Sequence, residues 1–293
     1  DKGQQYGWFD CTWICWLSIF SLASMFLFVI WELEVEKPIV DLRVFKNLNF
    51  FVGTVLGILV NVMVCVTIIL LPQYYQGLMH YTASLTGLAL ASRVIACIAL
   101  FFIGKICQLY DLRLIIAVGF ALIGCSVGLC ANLNLQSDPG AIILSNFLFG
   151  IGSVFSLVPI SSLALGTLPK NKIADAAGVH SLSKCVTGSM FTSLAASFAI
   201  SRSQVHQTYL VKNMTVYNPV FVRHFGALKS FFMHTLPSIS AAGKANVVLY
   251  GQLKTQAKLA ALSDLFGFAA LVSFIVIPTV ILLKVNSSKQ SAE

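Results

Sequence analysis

Arg93 and Lys184 each stand inside a long apolar run. A charge at mid-bilayer costs from about 2.5 kcal/mol upward, so it persists where it faces a wet cavity or a partner group. His180 precedes Lys184 by four residues, which puts both on one helix face, and Thr187 and Gly188 extend the polar stripe. Histidine titrates near neutral pH, so this stripe is a candidate cavity wall that handles protons or polar groups of a substrate. The plainer alternative is a stripe hydrogen-bonded to a neighbouring helix. For Arg93 the alternatives are a role in a pathway, a misplaced span boundary and an interhelical pair.

Gly104, Asp111 and Arg113 are expected in a short turn between two apolar runs, the glycine permitting a tight bend and the charges pairing across helix ends. The alternative is ordinary charged loop dressing. Pro159 falls inside another run and should loosen one helical turn there. Cys65, Cys97, Cys125, Cys130 and Cys185 lie within apolar runs, where they read as small packing residues, not disulfides. Cys11 and Cys15 lack the second pair or nearby histidines that a metal site needs, so no metal is expected. No phosphate-binding loop, His-Glu-x-x-His motif or Gly-x-Ser-x-Gly elbow occurs; no cofactor and no enzymatic activity are expected.

The elements that position these residues follow from composition. Of the 293 residues 57% are hydrophobic and 10% are charged, against roughly a quarter charged in a water-soluble domain. Apolar runs near 13–31, 51–71, 85–103, 114–133, 142–168, 176–200 and 265–283 give about seven membrane-spanning helices, the second ending at Pro72 and the sixth being the least apolar. The expected fold is therefore all-α and polytopic. The net charge of +8 sits mostly at run ends and in loops, which favours a membrane surface over nucleic acid as its partner.

Orientation is read from the short loops. Lys37, Arg43, Lys46, Lys105, Arg113, Lys170, Lys172, Lys284 and Lys289 fall on one side, while 73–84 and 134–140 carry no lysine or arginine. The positive-inside rule puts the first set and the carboxyl terminus in the cytoplasm. Asp1 is then outside, which implies an odd number of spans before it. The expected layout is an external segment, a linker span and a cytoplasmic loop over 1–50, a six-helix unit over 51–284 and a cytoplasmic tail over 285–293. Within that unit, 202–263 is expected as a long extracytoplasmic loop, with amphipathic stretches at 221–232 and 244–262 forming a surface lid.

Several stretches carry a resemblance. Asp1-Lys2-Gly3-Gln4 with Trp8-Phe9-Asp10 opens it, followed by Trp31-Glu32-Leu33, Pro38-Ile39-Val40-Asp41-Leu42, Phe45-Lys46-Asn47 and Asn49-Phe50. Leu70-Leu71-Pro72-Gln73, Tyr81-Thr82-Ala83 with Gly87-Leu88-Ala89, Leu168-Pro169 and 178–189 complete it. In this order and spacing they resemble the fourteen-span drug:proton antiporter family of the major facilitator superfamily, EmrB-type exporters above all. The chain departs from that pattern at Ser92, where the family commonly has proline, at Ser181, where it often has asparagine, and at Lys184, where it usually has arginine.

The resemblance implies the carboxyl-terminal half of a major facilitator fold plus one linker helix, built as a three-plus-three inverted repeat with substrate held between two halves near mid-membrane. It implies export of amphipathic small molecules against proton entry at a bacterial inner membrane. The implied partners are an amino-terminal half and, in double-membrane bacteria, a periplasmic adaptor and an outer-membrane channel. It makes Lys184, Arg93 and His180 candidates for the pathway or for coupling, and Gly104, Asp111 and Arg113 a conformational latch. No aspartate or glutamate lies in the middle of a run; Asp175 and Asp264 stand at run ends. A proton carrier needs a membrane acid that can be neutralised, so this half alone is expected not to couple transport to protons. The competing reading is a truncated, non-transporting remnant of such an exporter.

Overall fold

The computed structural model describes residues 12–35, 42–166, 168–169, 172–234 and 237–282. The opening motif at 1–10, most of the 38–42 motif, Lys37, Lys170 and the 285–293 tail lie outside the described residues. Nine α-helices occupy the described chain: α1 Thr12–Glu34, α2 Leu48–Gly77, α3 Ala83–Ala96, α4 Leu100–Leu109, α5 Leu112–Ala131, α6 Pro139–Gly166, α7 Ile173–Val211, α8 Pro219–Met233 and α9 Ser238–Leu282. Short 3-10 turns at Leu42–Lys46 and Cys97–Ala99 interrupt them.

Six segments are long and apolar enough to cross a bilayer: Thr12–Glu32, Leu48–Gly77, Ala83–Leu109, Leu112–Ala131, Pro139–Gly166 and Ile239–Val280. The sixth expected run, 176–200, forms α7, which falls short because serine, threonine, His180 and Lys184 dilute its apolar residues. It nonetheless packs along α2 and α9 as part of the bundle. The chain is an integral membrane protein of all-α architecture.

Local chemistry explains the helix ends. Asn47 caps α2 by accepting from the amides of Asn49 and Phe50 at 3.0 and 3.4 Å, and Thr82 caps α3 through the Leu85 amide at 3.3 Å. Pro72 does not end the second span: α2 runs on to Gly77, since a helix embedded in a bundle tolerates one missing amide. The chain turns after it at His80, whose φ is +56°. The 85–103 run is one span interrupted by the Cys97–Ala99 turn.

α5 is the hub, lying between α6 and α9. Ile116, Phe120, Ile123 and Val127 repeat at helical spacing and meet Phe149 of α6 and Phe266 of α9 in one core. Exchanging α2–α3/α4–α5 for α6–α7–α9 maps the α2–α7 contact onto α6–α3 and leaves α2–α6 and α5–α9 in place. The α5–α6 and α7–α9 contacts have no comparable counterparts in α2–α9 and α3–α5, so the correspondence is partial. α1 stands apart, touching the Leu42–Lys46 turn, with its apolar side chains exposed.

α7 and α9, with 39 and 45 residues, are about 58 and 68 Å long at 1.5 Å per residue. Both overrun a hydrocarbon layer of about 30 Å. Their excess lengths and α8 build a helical cap over 202–263. α8 packs on α9 through Phe221, Phe225, Leu228 and Phe232, the spacing of one helix face. A groove of about 760 Å³ between this cap and residues Leu78, Met79, His80 and Leu135 puts the cap on the same side as the α2–α3 and α5–α6 loops.

Candidate polar sites within the bundle

His180 and Lys184 lie on the face of α7 that meets α2. His180 is 4% exposed, and its Nδ1 is 3.2 Å from Thr54 Oγ1. Among the described residues its buried Nε2 has no hydrogen-bond partner. An imidazole so placed has one ring nitrogen to offer to water, a proton or a ligand. Gly57 makes room for the ring: an added Cβ there would stand 2.8 Å from His180 Cε1. One turn on, Asn61 Nδ2 donates to the Lys184 carbonyl at 2.9 Å. Gly188 brings the backbones together, since a Cβ there would sit 2.8 Å from Asn61 Nδ2. Lys184 itself is half-buried. The stripe is thus hydrogen-bonded to a neighbouring helix, and it leaves one buried nitrogen of His180 open.

Arg93 occupies a separate cluster. Its Nε donates to Asn146 Oδ1 at 2.9 Å and one terminal nitrogen donates to Thr67 Oγ1 at 3.2 Å. The guanidinium lies 4.2 Å from the Phe149 ring centre. Asn146 Nδ2 donates onward to the Tyr75 hydroxyl and the Ile142 carbonyl, both at 2.9 Å. Among the described residues no carboxylate pairs with Arg93. The charge is solvated by an amide, a hydroxyl and a π-face, three groups that stabilise it without neutralising it. The interhelical pair considered for Arg93 is therefore present, with neutral partners. Thr54 and Thr67 are thirteen residues apart on α2, about 20 Å along the axis, so the Arg93 and His180 clusters are not one site.

Gly104 does not lie in a turn. It is inside α4, which continues to Leu109, and a Cβ there would meet nothing within 4 Å. The turn is made by Tyr110 and Asp111, and the Asp111 carbonyl accepts from the Leu114 amide at 3.0 Å. Asp111 takes the N-cap position of α5 without a side-chain cap bond, and Arg113 lies in the first turn of that helix. Pro159 is buried in α6, which stays helical through it. Of the cysteines expected to pack, Cys130 is buried and Cys65 half-buried, while Cys97, Cys125 and Cys185 are exposed on the outside of the bundle. All of these are free thiols. Asp264, expected at a span end, binds α7 to α9: its Oδ2 is 2.8 Å from His206 Nε2 and 3.4 Å from Arg202 Nε.

Thr54, Asn61, Thr67, Tyr75 and Asn146 are uncharged partners that charge alone does not single out in the sequence. Asn61 and Asn146 were visible as amides in the middle of apolar runs, where an unsatisfied amide is costly.

No family model matches the chain. Among curated proteins, the probable multidrug resistance protein EmrY of Escherichia coli (strain K12) is 31% identical over 223 residues, covering 75% of this chain and 44% of that protein. The multidrug export protein EmrB of the same organism is 28% identical over 221 residues, covering 75% and 43%. The colistin resistance protein EmrB of Acinetobacter baumannii is 25% identical over 277 residues, covering 94% and 54%. The chain spans about half the length of the curated relatives it matches.

Proposed function

Because this chain is a homologue of the EmrB-type multidrug exporters, transporters and not enzymes, we propose that it forms the carboxyl-terminal half of a secondary exporter. That exporter moves amphipathic small molecules out of the cell against proton entry, at a bacterial inner membrane with the carboxyl terminus in the cytoplasm. The observation that carries the reading is the similarity to a probable multidrug resistance protein and a multidrug export protein along three quarters of the chain. The polar seam of α2 and α7 supports it, because a bundle selected only for burial has no use for an open nitrogen on His180.

In this reading His180 and Lys184 form one wall of the pathway. Arg93 holds α3 to α2 and α6 and presents a positive field to it. The Asp111–Arg113 turn, with Gly104 on the helix before it, is a latch for one access state, and Pro159 is a point of flexing in α6. The acid that carries the proton belongs to an amino-terminal half; a periplasmic adaptor and an outer-membrane channel complete the export route.

The test is proton-driven efflux of a fluorescent amphipathic dye from vesicles. Co-expression of this chain with the six-helix half of an EmrB-type exporter should give efflux that collapses with the pH gradient. The chain alone should give none. Efflux by the chain alone would overturn the division of labour. No efflux from any pairing would favour the non-transporting remnant.

A further inference from the structure

The seam between α2 and α7 opens at one end into a groove of about 520 Å³ that α9 closes from the side. Its depth can be placed. Ser263 Oγ donates to the carbonyl of Ala131, the last residue of α5, at 2.5 Å, so position 263 marks the edge of the bundle on α9. Lys258 and Lys254 precede it by five and nine residues, about 8 and 14 Å farther out. Leu70 is seven residues inside the end of α2, about 10 Å in the other direction. Leu70, Ala199, Ile200 and Leu262 line the inner part of the groove; Gln204, Gln207 and the two lysines line the outer part.

The groove is therefore graded along the membrane normal. Its hydrocarbon wall lies at the depth of the spans. Lys258, about 8 Å out, lies at the depth of the polar layer, about 5–8 Å thick on each side of a bilayer, and Lys254 stands one turn beyond it. Lys254 and Lys258 are one helical turn apart and share a face. Among the described residues neither pairs with a carboxylate, and the nearest acid in sequence, Asp264, is already held by Arg202 and His206. From 176 to 263 the sequence contains no aspartate or glutamate at all, while seven lysines and arginines fall between Arg202 and Lys258.

We propose that this groove binds one anionic phospholipid of the adjoining leaflet, with its phosphate between Lys254 and Lys258 and the upper part of an acyl chain against Leu70, Ile200 and Leu262. A zwitterionic lipid fits the apolar wall but brings its own ammonium to the lysines. The inference goes beyond the exporter reading, and it is measured without transport, so either can fail while the other stands.

The experiment places the full chain in nanodiscs of mixed phosphatidylglycerol and phosphatidylcholine and counts the lipids retained on stepwise delipidation by native mass spectrometry. The expected preference for phosphatidylglycerol at the last retained lipid is about thirtyfold, or about 2 kcal/mol from two lysines near the surface. The Lys254→Gln/Lys258→Gln variant should lose that preference. The Lys254→Arg/Lys258→Arg variant should keep it, which separates lost binding from lost folding. Lys212→Gln/Lys244→Gln removes the same charge elsewhere in the cap and should also keep it. Retention of the preference in the first variant, or equal loss in the last, overturns the site. Displacement of phosphatidylglycerol by inorganic phosphate alone overturns it too, because the acyl chain would then contribute nothing.

Discussion

Replacing Gly150 by alanine tests how α3 is held against α6. An ideal Cβ at Gly150 stands 2.5 Å from Ala96 Cβ, 2.8 Å from the Arg93 carbonyl oxygen and 3.1 Å from Arg93 Cα. Carbon atoms are comfortable at about 3.5–4.0 Å, so the two helices must part by about 1 Å. Two of the three obstructing atoms are backbone and have no rotamer to escape into. The same displacement takes the 2.9 Å bond from Arg93 Nε to Asn146 Oδ1 to about 3.9 Å, past the length of a hydrogen bond. Overpacking costs about 1–3 kcal/mol, and loss of a hydrogen bond to a charged group about 1.5–3 kcal/mol. Because one movement produces both effects, the expected destabilisation is about 3–5 kcal/mol. A fall in Tm on the order of 10 °C follows for a chain of this size. Gly178→Ala is the control: nothing lies within 4 Å of its added Cβ, and the helix gains up to about 1 kcal/mol from the better helix former. The assay is fluorescence-detected size exclusion after heating in detergent. Ala96→Gly added to Gly150→Ala should restore part of the loss, because the Arg93 carbonyl remains in the way. If Gly150→Ala melts with the wild type, the close approach of α3 and α6 is wrong, and the placement of Arg93 fails with it.

Three further outcomes are expected. Arg93→Lys cannot span Asn146 and Thr67 while lying on Phe149, so it should cost about 2 kcal/mol and be read as a lowered Tm; a neutral effect would remove the guanidinium's role as a strut. In a cysteine-free background, Lys184→Cys should react with a polar maleimide from an open pathway and His180→Cys should not, since His180 is 4% exposed; equal labelling would contradict the seam. Asn61→Leu should lower stability by about 1 kcal/mol through the lost bond to the Lys184 carbonyl and reduce efflux of the paired halves by more than it reduces protein abundance, measured by blotting.

Much of the fold was legible because a bilayer imposes one rule on every segment. A run without charge must be helical and long enough to cross, and that places α2, α5 and α6 within a few residues. Helix ends were less legible. Pro72 reads as a stop in sequence, but the tertiary contacts around α2 tolerate its missing amide and the helix runs one more turn. α7 blurred for the opposite reason: the residues that make it interesting also make it polar. The cap at 202–263 reads as a loop with amphipathic stretches, because sequence does not reveal that α7 and α9 simply continue. In the candidate sites the charges were visible and their company was not. Nothing local says that Arg93 meets Asn146 and Thr67, fifty-three and twenty-six residues away. The turn at Asp111 is legible in the sequence, whereas Gly104 suggests a bend that it does not make; in α4 it faces open space instead.

Two kinds of contact hold this bundle, and they resist motion differently. α5 and α6 meet through Gly119, Gly152 and Ser156, with a Cβ at Gly152 reaching within 2.9 Å of the Gly119 carbonyl oxygen. Sliding along such an interface drives backbone into backbone, so the pair has one arrangement. The α2–α7 contact rests instead on His180 with Thr54 and on Asn61 with the Lys184 carbonyl. Each such bond is worth about 1 kcal/mol net and can be handed to water or to a polar ligand. A carrier that alternates access must keep some helix contacts and exchange others. Here α5, α6 and α9 have the packing of a frame, and α7 has the packing of a part that can be released. It follows that Gly119→Ala, whose Cβ would stand 2.8 Å from the Ser156 backbone nitrogen, should unsettle the frame as Gly150→Ala does, whereas a disulfide across the polar seam should act on efflux by the paired halves. One between Asn61→Cys and Gly188→Cys should stop it until reduced. The reverse result would mean that the polar seam is the fixed joint and the glycine seam the moving one.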